Sequence, residues 1–279
     1  MNPQARRTGP RLVLEVRSGA PNRVAVETAF ELARALRSEI DAIFIEDQDL
    51  MAAAELSCAR EIALVSGRRA AISPGRMARD MRMITGAIRR RMEQMARANE
   101  VPHRFDVVRE HPAQAVATAT REGAFVAMTE PYSSRSAQEI AELARAHANV
   151  AGFVLVGPRV RTVTGPIVVA IESTSDLEQL VETAANVGSS NGSLAILVIG
   201  EDESEIKTLG AAVRERLTAA PETRIMLCGA HGEPAVVAEA AHRLRGRLLI
   251  ARMSGMFRPN QGTLRQLLAA LECPLLLMR

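Results

Sequence analysis

The sequence predicts an α/β protein built as two tandem doubly wound units, each a five-stranded parallel sheet with helices on both faces. Three observations predict it. Short runs of β-branched and aliphatic residues are apolar at every position, as strands buried on both faces of a parallel sheet must be. Amphipathic helical stretches alternate with those runs. The alternation is also written twice along the 279 residues, and self-similarity at long period is the signature of a repeated unit.

The first unit opens on Arg11 to Val16, RLVLEV. A helix is predicted over Arg23 to Ser38, where Val24, Thr28, Leu32 and Leu36 recur at helical spacing. The second strand, DAIFIE, begins at Asp41. A helix from Arg76 to Asn99 carries Met77, Met81, Ile84, Ile88, Met92 and Met95 on one stripe. The stripe reads as a core face, the alternative being an adaptable partner surface, since methionine is flexible and polarizable. The third strand starts at Arg104 and turns at His111-Pro112-Ala113 into an Ala-rich helix. A fourth strand ends before Thr129, and the fifth runs from Ala151, AGFVLVGP.

The second unit repeats this order. Its strands begin with Pro166 to Ile171, PIVVAI, and SLAILVIG from Ser193, with a helix between them over Asp176 to Ser189. Leu177, Leu180, Val181 and Ala184 form that helix's inward face. RIMLCG follows from Arg224, then the turn Gly232-Glu233-Pro234, a strand over Arg247 to Ala251 and a closing strand from Cys273.

Arg11 and Pro166 lie 155 residues apart, whereas Pro112 and Pro234 lie 122 apart. The first unit therefore carries about 33 extra residues after its second strand, in segment 46–77. That segment is expected either to cover a site or to scaffold the sheet edge. The expected domains are 1–158 and 159–279, joined by the polar linker Pro158 to Gly165. Two separate sheets are expected, packed through strands or helix faces as a pseudo-dimer, with further homodimerisation left open. A single continuous sheet, or halves that do not superimpose, would take the functional inference down with this duplication argument.

Composition bounds the function. The chain is 47% hydrophobic and 24% charged, with no apolar run long enough to span a bilayer. The N-terminal MNPQARRTGPR is basic without an apolar core behind it, so no secretory signal or membrane association is expected, and the cytoplasm is the expected compartment. Cys58, Cys228 and Cys273 lack any CxxC spacing, which argues against a disulfide framework or a zinc site. With no Trp and one Tyr, stacking platforms for single-stranded nucleic acid are absent, and no nucleic-acid partner is expected. Arg89-Arg90-Arg91 reads as a solvated helix face rather than a phosphate patch. Glu46-Asp47-x-Asp49 reads as a helix start rather than a cation site.

Two stretches carry a resemblance. GAHGEPAVVAEAAHRLRGRLLIARMSG, from Gly229 to Gly255, combines a Gly-x-Pro turn, an Ala-rich helix and an aliphatic strand leading into a glycine loop. Cys273-Pro274-Leu275-Leu276-Leu277 closes the chain in the same style as Cys-Pro-Val-Leu-Val. In this order the motifs resemble the universal stress proteins, and the chain resembles a tandem member with degenerate ATP-binding motifs. The resemblance implies an adenine nucleotide alpha hydrolase-like fold. It also implies an acidic residue after the first strand, a Gly-x2-Gly-x9-Gly-Ser/Thr loop after the fourth, and a helix N-terminus facing phosphate.

In the first unit the acidic position is Arg17, and the loop Thr129 to Ser136 has no glycine, Ser134 and Ser136 reading as helix N-caps. The second unit keeps Glu172, Gly255, Gly262 and Thr263, the candidate ATP-binding residues. Pro259 stiffens the shortened gap between the glycines, and Arg252 and Arg258 read as solvated or as phosphate contacts.

No Gly-x-Ser-x-Gly nucleophile elbow on a strand-to-helix turn occurs, nor GxxxxGK[ST], a strand-borne GxGxxG or a Ser-Gly-Gly-x-Asp-Ser loop, and the five histidines lack ligand spacing. The leading expectation is a non-enzymatic, universal-stress-type regulatory or stress-response protein acting through an unknown protein partner, with nucleotide binding weak or lost. One alternative is an ATP/AMP-binding switch with its site in the second domain. Another is a small-molecule hydrolase or transferase using His231 and Glu233.

Overall fold

The structure, a computed structural model, describes residues 11–17, 21–46, 48–62, 66–120, 123–129, 140, 150–161, 164–188, 193–200, 202–217, 223–229, 233–259 and 262–279. Of the residues singled out above, 1–10, Asp47, Glu130 to Ser136, Ser189, His231 and Gly232 lie outside that set.

The N-terminal half contains β1 (Arg11–Arg17), α1 (Arg23–Ala35), β2 (Glu39–Ile45), α2 (Gln48–Glu55), β3 (Arg60–Ile62) and β4 (Arg69–Ala71). It continues with α3 (Pro74–Asn99), β5 (His103–Val108), α4 (Pro112–Ala119), β6 (Phe125–Met128) and β7 (Gly152–Leu155). The C-terminal half contains β8 (Ile167–Ile171), α5 (Leu177–Gly188), β9 (Leu194–Gly200), α6 (Glu203–Arg216) and β10 (Arg224–Gly229). It ends with α7 (Pro234–Arg243), β11 (Leu248–Arg252), α8 (Gly262–Ala270) and β12 (Leu275–Met278).

Local chemistry sets the helix starts. The Asn22 side chain accepts the Val24 N–H at 2.9 Å and the Ala25 N–H at 3.2 Å, opening α1. The Asp202 side chain accepts the Glu205 N–H at 2.7 Å, opening α6. Ser73 caps α3, where Pro74 supplies the preset φ favoured at the first helical position.

The expectation of two separate sheets is overturned. All ten long strands form one sheet in the order β10-β9-β8-β11-β12-β7-β6-β1-β2-β5. Each half has five parallel strands, and read within its own half each has the order 3-2-1-4-5. The halves meet where β7 and β12 pair antiparallel, with Leu155 opposite Leu275 and Phe153 opposite Leu277. The continuity does not erase the repeat, because the same strand order stands on both sides of that junction.

Alternate residues of each strand feed two cores. Leu12, Leu14 and Val16 pack on one face with Phe30 of α1, Met92 of α3, Leu180 of α5 and Val213 of α6. Val13 and Ile43 pack on the other with Val116 of α4, Val237 of α7 and Leu267 of α8. The junction is dense enough to require glycine: a Cβ on Gly157 would lie 1.7 Å from the Leu268 carbonyl oxygen. An ion pair between Glu31 of α1 and Arg247 ahead of β11, at 2.8 Å, also bridges the halves.

Segment 46–77 gains local structure, and one expectation for α3 changes. The segment folds as α2 followed by the antiparallel β3–β4 hairpin. Its ion pair from Glu61 to Arg76 ties the hairpin to α3. On α3, Met81, Ile88 and Met92 are buried and Met77 and Met95 half-buried, but Ile84 is exposed, so the core stripe is interrupted there.

Candidate functional site

Ligands of open α/β sheets bind beyond the carboxyl ends of the strands, where the chain reverses its direction of travel across the sheet. In the C-terminal half that point lies between β8 and β11, since β9 and β10 add on one side of β8 and β11 returns on the other. Glu172 follows β8 directly, and the loop Ser254-Gly255-Met256-Phe257 follows β11. The topology therefore brings together two of the residues singled out from sequence, Glu172 and Gly255.

Their arrangement is closed. The Glu172 carboxylate accepts the Met256 N–H at 3.2 Å and the Ser254 hydroxyl at 3.3 Å. A Cβ placed on Gly255 would lie 2.4 and 2.5 Å from the two carboxylate oxygens. Gly255 also has φ +46°, a left-handed conformation that favours glycine. Met256 and Phe257 are buried in the core below and anchor the loop. Burial raises the Glu172 pKa above the ordinary carboxylate range, and nearby Asp176 adds to the rise. The Met256 and Ser254 hydrogen bonds and the positive Arg258 act in the opposite sense.

The remaining candidates point elsewhere. The Thr263 hydroxyl donates to the Met256 carbonyl at 3.0 Å, bracing the loop. Gly262 opens α8, and a Cβ there would meet nothing within 4 Å, so no close approach requires this glycine. Arg252 donates to the Gln179 side chain at 2.5 Å and lies 4.0 Å from Asp176. Arg258 is exposed.

A phosphate at this loop needs free backbone N–H groups and no competing negative charge. The Met256 N–H is already given to a carboxylate, and that carboxylate lies against the one glycine with positive φ in the loop. The donor set as folded fits an internal anion and does not fit an added phosphate. Ser254 was not among the residues singled out from sequence. Its only signal is its place between the last residues of a strand and a glycine.

The matching position in the N-terminal half, Arg17, pairs with Glu15 of the same strand at 2.5 Å. Glu15 is almost fully buried, and its signal was a lone carboxylate inside an apolar run. Thr129, at the end of β6, is buried with its hydroxyl unpartnered. Glu46, part of the acidic cluster, is paired with Arg109 at 2.9 Å. His111 and Glu233 sit at the starts of α4 and α7, and neither makes a side-chain cap hydrogen bond. Burial pushes the Cys273 thiol up to about 12, which leaves it un-ionised at neutral pH.

No family model matches the sequence, and no curated protein matches it. Solved structures do match the fold. A universal stress protein from Archaeoglobus fulgidus aligns with a TM-score of 0.59 and 11% identity, covering 96% of each chain. A protein of unknown function from Pseudomonas aeruginosa PAO1 aligns with a TM-score of 0.59 and 12% identity, covering 96% of this chain and 92% of that one. The cytoplasmic domain of a prokaryotic cation chloride cotransporter aligns with a TM-score of 0.54 and 10% identity, covering 96% and 95%. At these identities the likeness is one of fold: the chain has the architecture of the universal stress proteins along nearly its whole length. Among the described residues, no helix is long and apolar enough to cross a membrane.

Proposed function

We propose that this chain is a non-enzymatic regulatory protein of the universal stress type that acts through protein contacts. In this reading it arose by duplication of one unit, with domains 1–158 and 159–279, and its surviving nucleotide crevice is closed by its own carboxylate. The observation that carries the reading is Glu172 on the Gly255 loop, accepting the Met256 N–H where an anion would otherwise sit. The repeated strand order favours duplication. A fold that also serves as the cytoplasmic domain of a cotransporter accords with work done in larger assemblies.

Calorimetric titration of the full chain with Mg-ATP tests this reading. It expects no heat at millimolar nucleotide. Binding with a Kd near or below about 10 μM would overturn it, since roughly 7 kcal/mol of affinity needs a formed site.

A second reading is favoured by the positive φ of Gly255, the conformation a phosphate loop uses. Glu172 would then swing away and the chain would act as an ATP/AMP-dependent switch. Adenine nucleotide co-purifying with the protein would select this reading over the first.

A further inference from the structure

We infer that two copies of the chain join through β10, edge to edge and antiparallel, so that the ten-stranded sheet continues across a two-fold axis. The inference stands apart from the reading of the Glu172 loop.

The sheet ends on β5 at one side and on β10 at the other, the third strands of the two halves. An edge strand offers N–H and C=O groups along its outer side, and natural edges are guarded by charge, proline or cover. These two edges hold matching places. Val107 is opposite Phe44 and Phe44 opposite Val16; Leu227 is opposite Val198 and Val198 opposite Ile171. Val16 and Ile171 lie 155 residues apart, the spacing of Arg11 and Pro166. Val107 is 42% exposed and Leu227 40%, so both edges are open to solvent at that place.

Charge separates them. β5 carries the exposed Arg104 and Asp106. α3 packs beside it, with the Arg89 guanidinium 4.7 Å from the centre of the Phe105 ring. That helix has seven arginines against Asp80 and Glu93, a net +5. Joining two copies through β5 would set two such helices side by side, and their like charges oppose it. β10 has Arg224 at its start and no charge from Ile225 to Gly229. Ile225 and Met226 are half-buried. The helix beside it, α6, has Glu203, Glu205 and Glu215 against Lys207, Arg214 and Arg216, a net charge of zero. The unguarded edge is therefore the one able to meet a copy of itself.

α6 sets the antiparallel orientation. Its first turn is acidic and its last turn basic. By helical spacing Glu203, Lys207, Gly210 and Arg214 form one stripe. Gly210 stands against the edge strand, where a Cβ would lie 2.8 Å from the Leu227 Cδ2, so the stripe flanks the edge. Arg214 is exposed and, among the described residues, has no carboxylate partner. A two-fold axis reverses the second helix and brings Arg214 towards the partner's Glu203. The bond that Glu203 makes to Lys207 is exposed and worth little by comparison. A junction of β10 with β5 of another copy would instead set Arg104 and Asp106 against apolar residues, and, being head-to-tail, would continue into filaments.

Sedimentation of the full chain, with amide hydrogen exchange at about 1 and about 100 μM, tests the inference. The native chain is expected to dimerise with a Kd near or below about 10 μM. Amides of β10 should exchange more slowly at the higher concentration, and those of β5 equally at both. Leu227→Lys is expected to weaken the dimer by about tenfold or more with unchanged circular dichroism. Val107→Lys, at the matching place on β5, is expected to leave it intact. A native chain that stays monomeric at about 100 μM, as it would if the edge served a strand of another protein, overturns the inference. So do filaments, or a dimer that Val107→Lys breaks and Leu227→Lys spares. None of these outcomes bears on the ATP titration.

Discussion

The Glu172 carboxylate lies directly against Gly255, so close that a single methyl group on the glycine would fall within 2.5 Å of both carboxylate oxygens. These residues follow β8 and β11, the two strands that flank the switch point of the C-terminal half.

Gly255→Ala should therefore be costly for two reasons. Alanine resists the left-handed conformation by about 1–2 kcal/mol, and its Cβ forces Glu172 off the loop. A loss of about 2–3 kcal/mol is expected in urea unfolding. Combined with Glu172→Ala, the losses should be less than additive, because the clash disappears.

Glu172→Ala alone should open the cradle. Removing the internal anion frees the Met256 N–H and lifts the repulsion of phosphate. Affinity for Mg-ATP should rise by about tenfold or more over the native chain in calorimetry. No gain would mean that something other than Glu172 keeps nucleotide out.

The pH dependence follows from the raised pKa of Glu172. Between its ordinary carboxylate value and the raised folded value, the folded chain holds the proton more tightly than the unfolded one. The stabilisation is thus fully present in acid and is lost as pH rises through the folded pKa. Urea midpoints of the native chain measured against Glu172→Gln should show the native chain losing ground from about pH 4 towards neutrality. A difference that is flat, or that grows with pH, would contradict this.

Glu100 ends α3 at φ +55°, where a side chain is strained and a negative charge faces the negative end of the helix dipole. Glu100→Gly should stabilise the fold by about 0.5–1 kcal/mol in thermal or urea unfolding.

The legible part of the fold was the part encoded locally. Runs such as PIVVAI and RLVLEV are apolar throughout because both faces of their sheet are covered, and they appear as β8 and β1. The resemblance to the universal stress proteins brought Glu172 and Gly255 forward, and the structure sets them in contact. The pairing of β7 with β12 was not legible, because an edge strand carries no local mark of its future neighbour. The β3–β4 hairpin escaped notice because REI and RAA are three-residue strands on an exposed surface, without alternation to read. The inward turn of Glu172 was equally hidden: its partner Met256 stands 84 residues away, and spacing says nothing of which way a carboxylate turns. Ile84 fits the α3 stripe by period, yet it faces the hairpin groove, where no core closes over it.

The antiparallel seam also sets an order of events during synthesis. β7 leaves the ribosome with a raw edge, its N–H and C=O groups unmatched on the side that Leu275–Met278 will take. Every residue of β8 to β11 must emerge before that edge can be covered. A nascent chain stalled in this interval would present an uncapped apolar strand, and another copy arrested at the same stage could bind it in place of the missing neighbour.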